Sequence, residues 1–185
     1  AYDTPLRWEI ADGRACTWAL GRAVRGVKNG SSPQWLQDRL TAIGLRPISA
    51  LVDVTNWFTF ALGRPLHVFD VAKVHGTTLT MRMAREGESL AALNGKTYAL
   101  TPEDGVIADA NGPEALGGVI GGEPSGCDDT TTECFIECAL FDPVRIALSG
   151  RRHGVHTDAR ARFERGVDPA LLRGALEAAT RMIQE

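Results

Sequence analysis

Glu137 makes the strongest chemical demand on this chain. It stands in CFIECALF, residues 134–141, where every neighbour is apolar or small. A carboxylate in a buried strand costs several kcal/mol unless something donates to it. Two arrangements meet that demand: a structural partner such as Arg46 or a backbone amide, or a pocket in which Glu137 accepts a hydrogen bond from a ligand hydroxyl or ammonium. His67, in RPLHVFD, lies among apolar residues after a proline. Alone, such a histidine is more often a satisfied core residue than an actor. With Arg46, Asn56 and Thr157 it can complete a polar rim, and the sequence leaves their convergence open.

A second chemical signal is the run RRHGVHTDARARFERGVDP at 151–169. It gathers Arg151, Arg152, Arg160, Arg162 and Arg165 with His153 and His156 around Asp158, Glu164 and Asp168. The whole chain carries a net charge of −3, so this run is a local choice. Such a segment suits phosphate, and its small residues let backbone amides approach a ligand. The alternative is a solvated basic helix face. No GxxxxGK[ST] loop is present, and GGVIGG at 117–122 does not fit GxGxxG. Gly118 and Gly121 make a bare GxxG, too short to carry an argument without a helix–loop–helix setting. A GxSxG elbow, an HExxH pair and a nucleophilic cysteine are all missing, so any hydrolysis must work by positioning water and substrate.

The elements that would hold these residues are legible as punctuation and period. Residues 16–29 read as strand, and Ser32 is expected to cap a helix opening at Pro33 and stopping at Gly44, with Leu36, Leu40 and Ile43 on its apolar face. The apolar stretch from 45 to 63 reads as strand then helix, with Asn56 at the bend. PLHVFD follows at 65–70, then short strands at 77–82, 97–100 and 104–108 joined by turns such as Asn94–Gly95. A Gly-rich turn at 117–122 precedes the strand at 134–141. Pro143 opens a short helix toward Ser149, and a terminal helix runs from about Pro169 to the end. The class is α+β.

At 185 residues and 44% hydrophobic content, the chain can bury a substantial core. Its mild acidity argues against nucleic-acid binding by the whole surface, so any RNA contact is patch-like. There is no run of about 18 apolar residues to span a membrane, and the N-terminus lacks a signal-peptide layout. Cys16, Cys127, Cys134 and Cys138 are not spaced as a CxxC pair, and read as reduced, mostly buried cytosolic thiols rather than zinc ligands. The abrupt ends give the expectation of a piece of a longer protein.

Taken in order, CTWALGRAVRGVKNGSSPQWLQDRL, GLRPISALVDVTNW, GRPLHVFD, GGVIGG, ECALFDPVRI and RRHGVHTDARARFERGVDP resemble the B3/B4 region of bacterial phenylalanyl-tRNA synthetase β subunits. The resemblance covers about residues 15–170, and LVDVTN, PLHVFD and RFERGVDP are not generic patterns. It implies an α+β module, residues 1–185, with a central, mostly antiparallel sheet or sandwich core flanked by helices. It further implies proofreading: hydrolysis of tyrosine wrongly esterified to tRNA(Phe), in a cytoplasmic heterotetramer of two α and two β subunits. Cofactors are expected to be none in this domain, with ATP and magnesium serving ligation elsewhere in the parent enzyme, and no membrane or DNA partner is implied.

Carried over by residue, the resemblance makes Glu137 the reader of the tyrosine para-hydroxyl and His67 a group near the ester. Arg46 and Asn56 become pocket-lining. Gly121 stands where a side chain would fill the pocket, and Thr157 and Ala159 close the wall around the ring. Arg151, Arg152, Arg160 and Arg162 are candidate contacts to the tRNA acceptor end. The chain departs from the common pattern in having Arg160 and Ala161 where Ser-His is usual, and Trp57 where tyrosine is usual. Rival readings are a tRNA-docking module without editing and a free-standing deacylase acting in trans.

Overall fold

The eight-residue strand at Glu133–Leu140 organises the protein. It forms the centre of a three-stranded antiparallel sheet in a computed structural model that describes residues 3–185. In chain order the elements are β1 (Arg7–Ile10), β2 (Trp18–Arg25), α1 (Gln34–Ala42), α2 (Ala50–Ala61), β3 (His67–Asp70), β4 (Thr78–Met83), β5 (Ser89–Ala91), β6 (Thr97–Ala99), β7 (Gly105–Ala108), β8 (Pro113–Leu116), β9 (Ile120–Gly121), β10 (Glu133–Leu140), α3 (Pro143–Arg152), α4 (Asp158–Phe163) and α5 (Leu171–Gln184). The order β2-β10-β3 makes one sheet and β1-β4-β7-β8-β9 another; β5 and β6 pair as a hairpin. Only β1–β4 is parallel among the described pairs.

Period-two alternation divides the core between the two faces of β10. Cys134, Ile136 and Cys138 pack with Leu36 and Leu40 of α1, Leu51, Val54 and Phe58 of α2, and Leu172, Ala175, Leu176 and Ala179 of α5. Those α5 positions recur at the helical spacing that gives one apolar stripe. Phe135, Ala139 and, just beyond the strand, Phe141 pack with Leu79 and Met81 of β4, Val106 and Ile107 of β7, and Leu116 of β8. The architecture is thus helix layer, small sheet, larger sheet. Because both faces of β10 are covered, its sequence is apolar on both faces apart from Glu133 and Glu137 instead of alternating. β4 shows the simpler case, with Leu79, Met81 and Met83 buried and the residues between them partly exposed.

Several sequence expectations shift at their edges. The strand read over 16–29 is β2, which runs only from Trp18 to Arg25, and Gly26 turns the chain after it at φ +75°. Ser32 does not cap α1; its hydroxyl donates to the buried Asp53 carboxylate at 2.5 Å, tying the α1 entry to α2. Ile43 lies past the helix end and is 54% exposed, so it is not part of the apolar face. No strand forms over 45–49, and Asn56 sits within α2 rather than at a bend. α3 continues three residues past Ser149, and α4 lies within the basic run. The turn at Asn94–Gly95 forms as expected, with Gly95 at φ +74°. β1, β5, β8 and β9 escape sequence reading because they span two to four residues, and β8 (PEAL) holds poor strand formers.

Ile136 is fully buried at the centre of the helix-facing layer. Ile136→Ala should cost about 2–5 kcal/mol, measured by denaturant unfolding, with little change in the far-ultraviolet spectrum of the folded protein.

Candidate functional site

Register, before any side-chain contact, puts the site together. Glu137 of β10 is paired with His67 of β3 on one side and Gly21 of β2 on the other. Directly opposed residues in neighbouring strands share a face. Glu137 and His67 therefore both project toward the larger sheet, into the layer of Phe135, Ala139 and Phe141. There they line a cavity of about 70 Å³ together with Leu116, Val119, Gly121, Phe141, Ala159 and Phe163.

Two glycines of GGVIGG shape its wall. Gly118 turns the chain at φ +68°, a conformation that side chains disfavour. Gly121 serves by close approach: a Cβ there would lie 2.5 Å from His67 Cε1 and 3.0 Å from Leu93 Cδ1. A side chain at 121 would displace the imidazole as well as fill space. The opposite wall comes from α4. Thr157 is its N-cap, accepting from the Arg160 amide at 3.1 Å and donating to the Val119 carbonyl at 2.6 Å. Thr157 is not among the lining residues; it pins α4 to the 117–122 loop and so aims Ala159 and Phe163 at the cavity.

About 70 Å³ is less than half the roughly 150 Å³ of an apolar cavity known to admit benzene. An aromatic ligand therefore enters only if side chains at the mouth move. The His67 ring is among the lining side chains, and Leu93, 56% exposed, lies beside Gly121.

The electrostatics are unusual for so apolar a space. Glu137 is 5% exposed, and no described residue donates a hydrogen bond to its carboxylate. Burial pushes its carboxyl up to about 7, partly offset by the positive charge of Arg64. Burial also holds the His67 imidazole down to about 4, so the ring is neutral at pH 7. Its Nε2 is buried without a hydrogen-bond partner, and the ring meets Phe69 edge-on at 4.5 Å. A neutral imidazole and a poised carboxylate in one apolar cleft can bind and orient a small polar group without a metal ligand set.

The remaining expected site residues fall elsewhere. Arg46 is exposed ahead of α2, Asn56 is half-buried within α2, and neither lines this cavity. The charge nearest in effect to Glu137 is Arg64, not Arg46. Within the basic run most cations are already engaged. Arg152 and His153 both reach the fully buried Asp104, at 2.6 and 2.8 Å. Arg160 is 7% exposed, its guanidinium held by Glu164 at 3.0 Å and the Val155 carbonyl at 2.5 Å. It fits because position 150 is glycine; a Cβ there would lie 2.2 Å from Arg160 Nε. Arg160 is thus a structural residue of the α3–α4 corner and not a free phosphate ligand. Arg162 stacks on Phe60 at 4.5 Å and pairs with Asp158, while Arg151 is exposed. Trp57 packs edge-on against Trp35 on the helix layer, away from the cavity. Sequence reading missed Arg64, although a charge in LGRPLHVF carries the same warning as Glu137 in CFIECALF.

A layered α+β unit with a carboxylate-bearing cleft between its sheets defines a recognisable class. Residues 15–185 match the B3/4 domain, and the chain belongs to that family. Its relatives include proteins named phenylalanine–tRNA ligase β subunit: one from Paramagnetospirillum magneticum is 63% identical over 96% of this chain, and one from Gluconobacter oxydans is 56% identical over the full chain. The chain spans 22% of the length of either relative. Among solved structures, an N-terminal fragment of the phenylalanyl-tRNA synthetase β subunit from Pyrococcus horikoshii shares the fold, with a TM-score of 0.52 at 12% identity over 83% of this chain and 51% of that one. Among the described residues no helix is long and apolar enough to cross a membrane.

Glu137 ionises near 4.5 when solvated and at about 7 in the fold. The folded state thus holds this proton more tightly, and stability falls as pH rises through that window, levelling above it. Glu137→Gln removes the titration. Its stability relative to the parent chain should rise by roughly 3 kcal/mol between pH 4 and pH 8, read from denaturant midpoints; a difference flat with pH would mean an accessible carboxyl.

Proposed function

We propose that the cleft is an editing site for aminoacyl-tRNA esters and that it hydrolyses tyrosine from tRNA(Phe). The observation that carries the reading is Glu137: a buried carboxylate, facing an apolar cavity, with no donor supplied by the described residues. A phenol hydroxyl supplies that donor, and a hydrogen bond to a charged acceptor is worth about 1.5–3 kcal/mol. A phenyl ring leaves the carboxylate desolvated and unpaired. Sites built to bond a substrate hydroxyl reject the analogue lacking it by as much as about 10⁴–10⁵. Size works the other way, since tyrosine is the larger ligand, so chemistry and not sieving spares the correct product.

The reaction asks little of the protein. Water adds through its oxygen to the ester carbonyl carbon, the bond from that carbon to the ribose oxygen breaks, and the ribose oxygen takes up a proton. Free tyrosine and tRNA with a restored hydroxyl result. His67, neutral near pH 7 and with Nε2 unpartnered, is suited to orient the ester or the attacking water. Gly121 leaves room for that ring, and Ala159 bounds the side-chain pocket.

The relatives' shared name supports placing this unit, residues 1–185, within a phenylalanine–tRNA ligase β subunit. Its partners are then the acceptor end of tRNA(Phe), the α subunit and the remaining β domains of a cytoplasmic heterotetramer. ATP serves the ligation step of that parent enzyme and not this cleft. Arg151, with Arg152 and Arg162 to the extent that their ion pairs exchange, is the basic surface left to meet phosphates.

Deacylation of tyrosyl-tRNA(Phe) and phenylalanyl-tRNA(Phe) tests the assignment. The parent protein should strongly prefer the tyrosyl ester, and Glu137→Ala should lose most of that preference while remaining folded. Equal hydrolysis of both esters by the unmutated protein would reject the role of Glu137. Gly121→Trp should abolish deacylation of the tyrosyl ester with tRNA affinity changed less than about threefold, because the indole displaces His67 and fills the cleft.

A further inference from the structure

Arg64 is the least expected side chain in the molecule. It lies in the connection between α2 and β3 and is fully buried. Its guanidinium donates to Cys138 Sγ through Nε at 3.4 Å and Nη2 at 3.2 Å, and Nη2 also donates to the Ala139 carbonyl. Those acceptors are the two residues that follow Glu137. The guanidinium carbon stands 5.7 Å from the Phe163 ring, which lines the cavity, and the next two residues, Pro65 and Leu66, line it as well. Nη1 is buried with no partner among the described residues. An arginine is never neutral in a protein, so a full positive charge is enclosed beside the cleft.

We propose that Arg64 is a positioning residue for the cleft: a fixed counter-charge beside Glu137 that clamps the end of β10 presenting it. The inference deepens the editing reading and rests on it for its consequence in selectivity. A carboxylate accepts from a phenol, and its desolvation is what penalises a phenyl ring; a neutral carboxyl penalises the phenyl ring less. The groups around Glu137 leave Arg64 as the cation available for this task. β3 presents His67, neutral near pH 7; β2 presents Gly21; the lead-in to β2 presents the Cys16 thiol, pushed up to about 12 by burial. Cys138, next in β10, is a thiol raised by burial, and α4 and the 117–121 loop offer apolar side chains.

Nuclear magnetic resonance of the full chain tests the coupling without requiring turnover. The Glu137 carboxyl carbon, assigned with Glu137→Gln, should titrate, and the Arg64 Nε resonance of the unmutated protein should move with the same midpoint. Arg64→Met keeps the aliphatic stem and removes the charge; it should raise the Glu137 midpoint by at least about one unit. Arg64→Lys should return it most of the way. The pH at which the tyrosyl-to-phenylalanyl deacylation ratio collapses should shift with the carboxyl midpoint in each variant. An Arg64 resonance flat across the Glu137 titration overturns the proposal even where Arg64→Met does not fold. So does an unchanged midpoint in a folded Arg64→Met. A coupled titration in a protein that hydrolyses neither ester supports the charge pairing and sinks the editing reading instead.

Discussion

The burial of a carboxylate in a strand covered on both faces is the constraint around which this protein is arranged. β10 receives α1, α2 and α5 on one side and the five-stranded sheet on the other, so Glu137 has no route to bulk water except through the cleft. Such a charge costs several kcal/mol unless compensated. The compensation is incomplete: Arg64 lowers the cost electrostatically, yet the carboxyl still rests at about 7. The strand is thus held in place by its apolar neighbours while its buried charged residue, Glu137, is left under-served. Under-served polar groups in well-packed surroundings are where ligand recognition is most selective.

The cleft's construction separates its polar groups from what supports them. Glu137 and His67 come from paired positions of adjacent strands, a more precise placement than a loop provides. Around them, the 117–122 loop and α4 are joined by the Thr157 hydroxyl to the Val119 carbonyl. A second polar hub, Asp104 with Ser149, Arg152 and His153, fastens α3 to the β6–β7 connection and consumes cations that the sequence offers to a ligand. Local charge density in a sequence overstates the charge a surface presents, because neighbouring acids and buried carbonyls take it up. Arg160 is the clearest instance, with its guanidinium enclosed over Gly150.

The small cavity adds a dynamic requirement. An aromatic ring exceeds about 70 Å³, so one could enter only if lining side chains moved. Because His67 is one of the lining residues, admitting a ring beside Gly121 would also move the imidazole.

What the sequence determined by itself was chemical. The apolar run around Glu137 could only be a buried strand with an expensive residue in it, and PLHVFD, GGVIGG and HTDA marked the other walls through the family pattern they share. The α+β class, the Asn94–Gly95 turn and the terminal helix were likewise local, because turn chemistry and helical propensity are properties of short segments. Tertiary structure decided the rest. Strand register, set by β10 lying between β2 and β3, put His67 opposite Glu137 and left Arg46 and Asn56 outside the cavity. Ser32 lost its cap role to a bond with Asp53 that only the packing of α1 on α2 makes possible. Arg64 became the positive charge that acts on the buried acid through the fold of the α2–β3 connection, at a separation of 73 residues from Glu137. Burial, register and long-range pairing are sums over distant segments, and no window of sequence contains them.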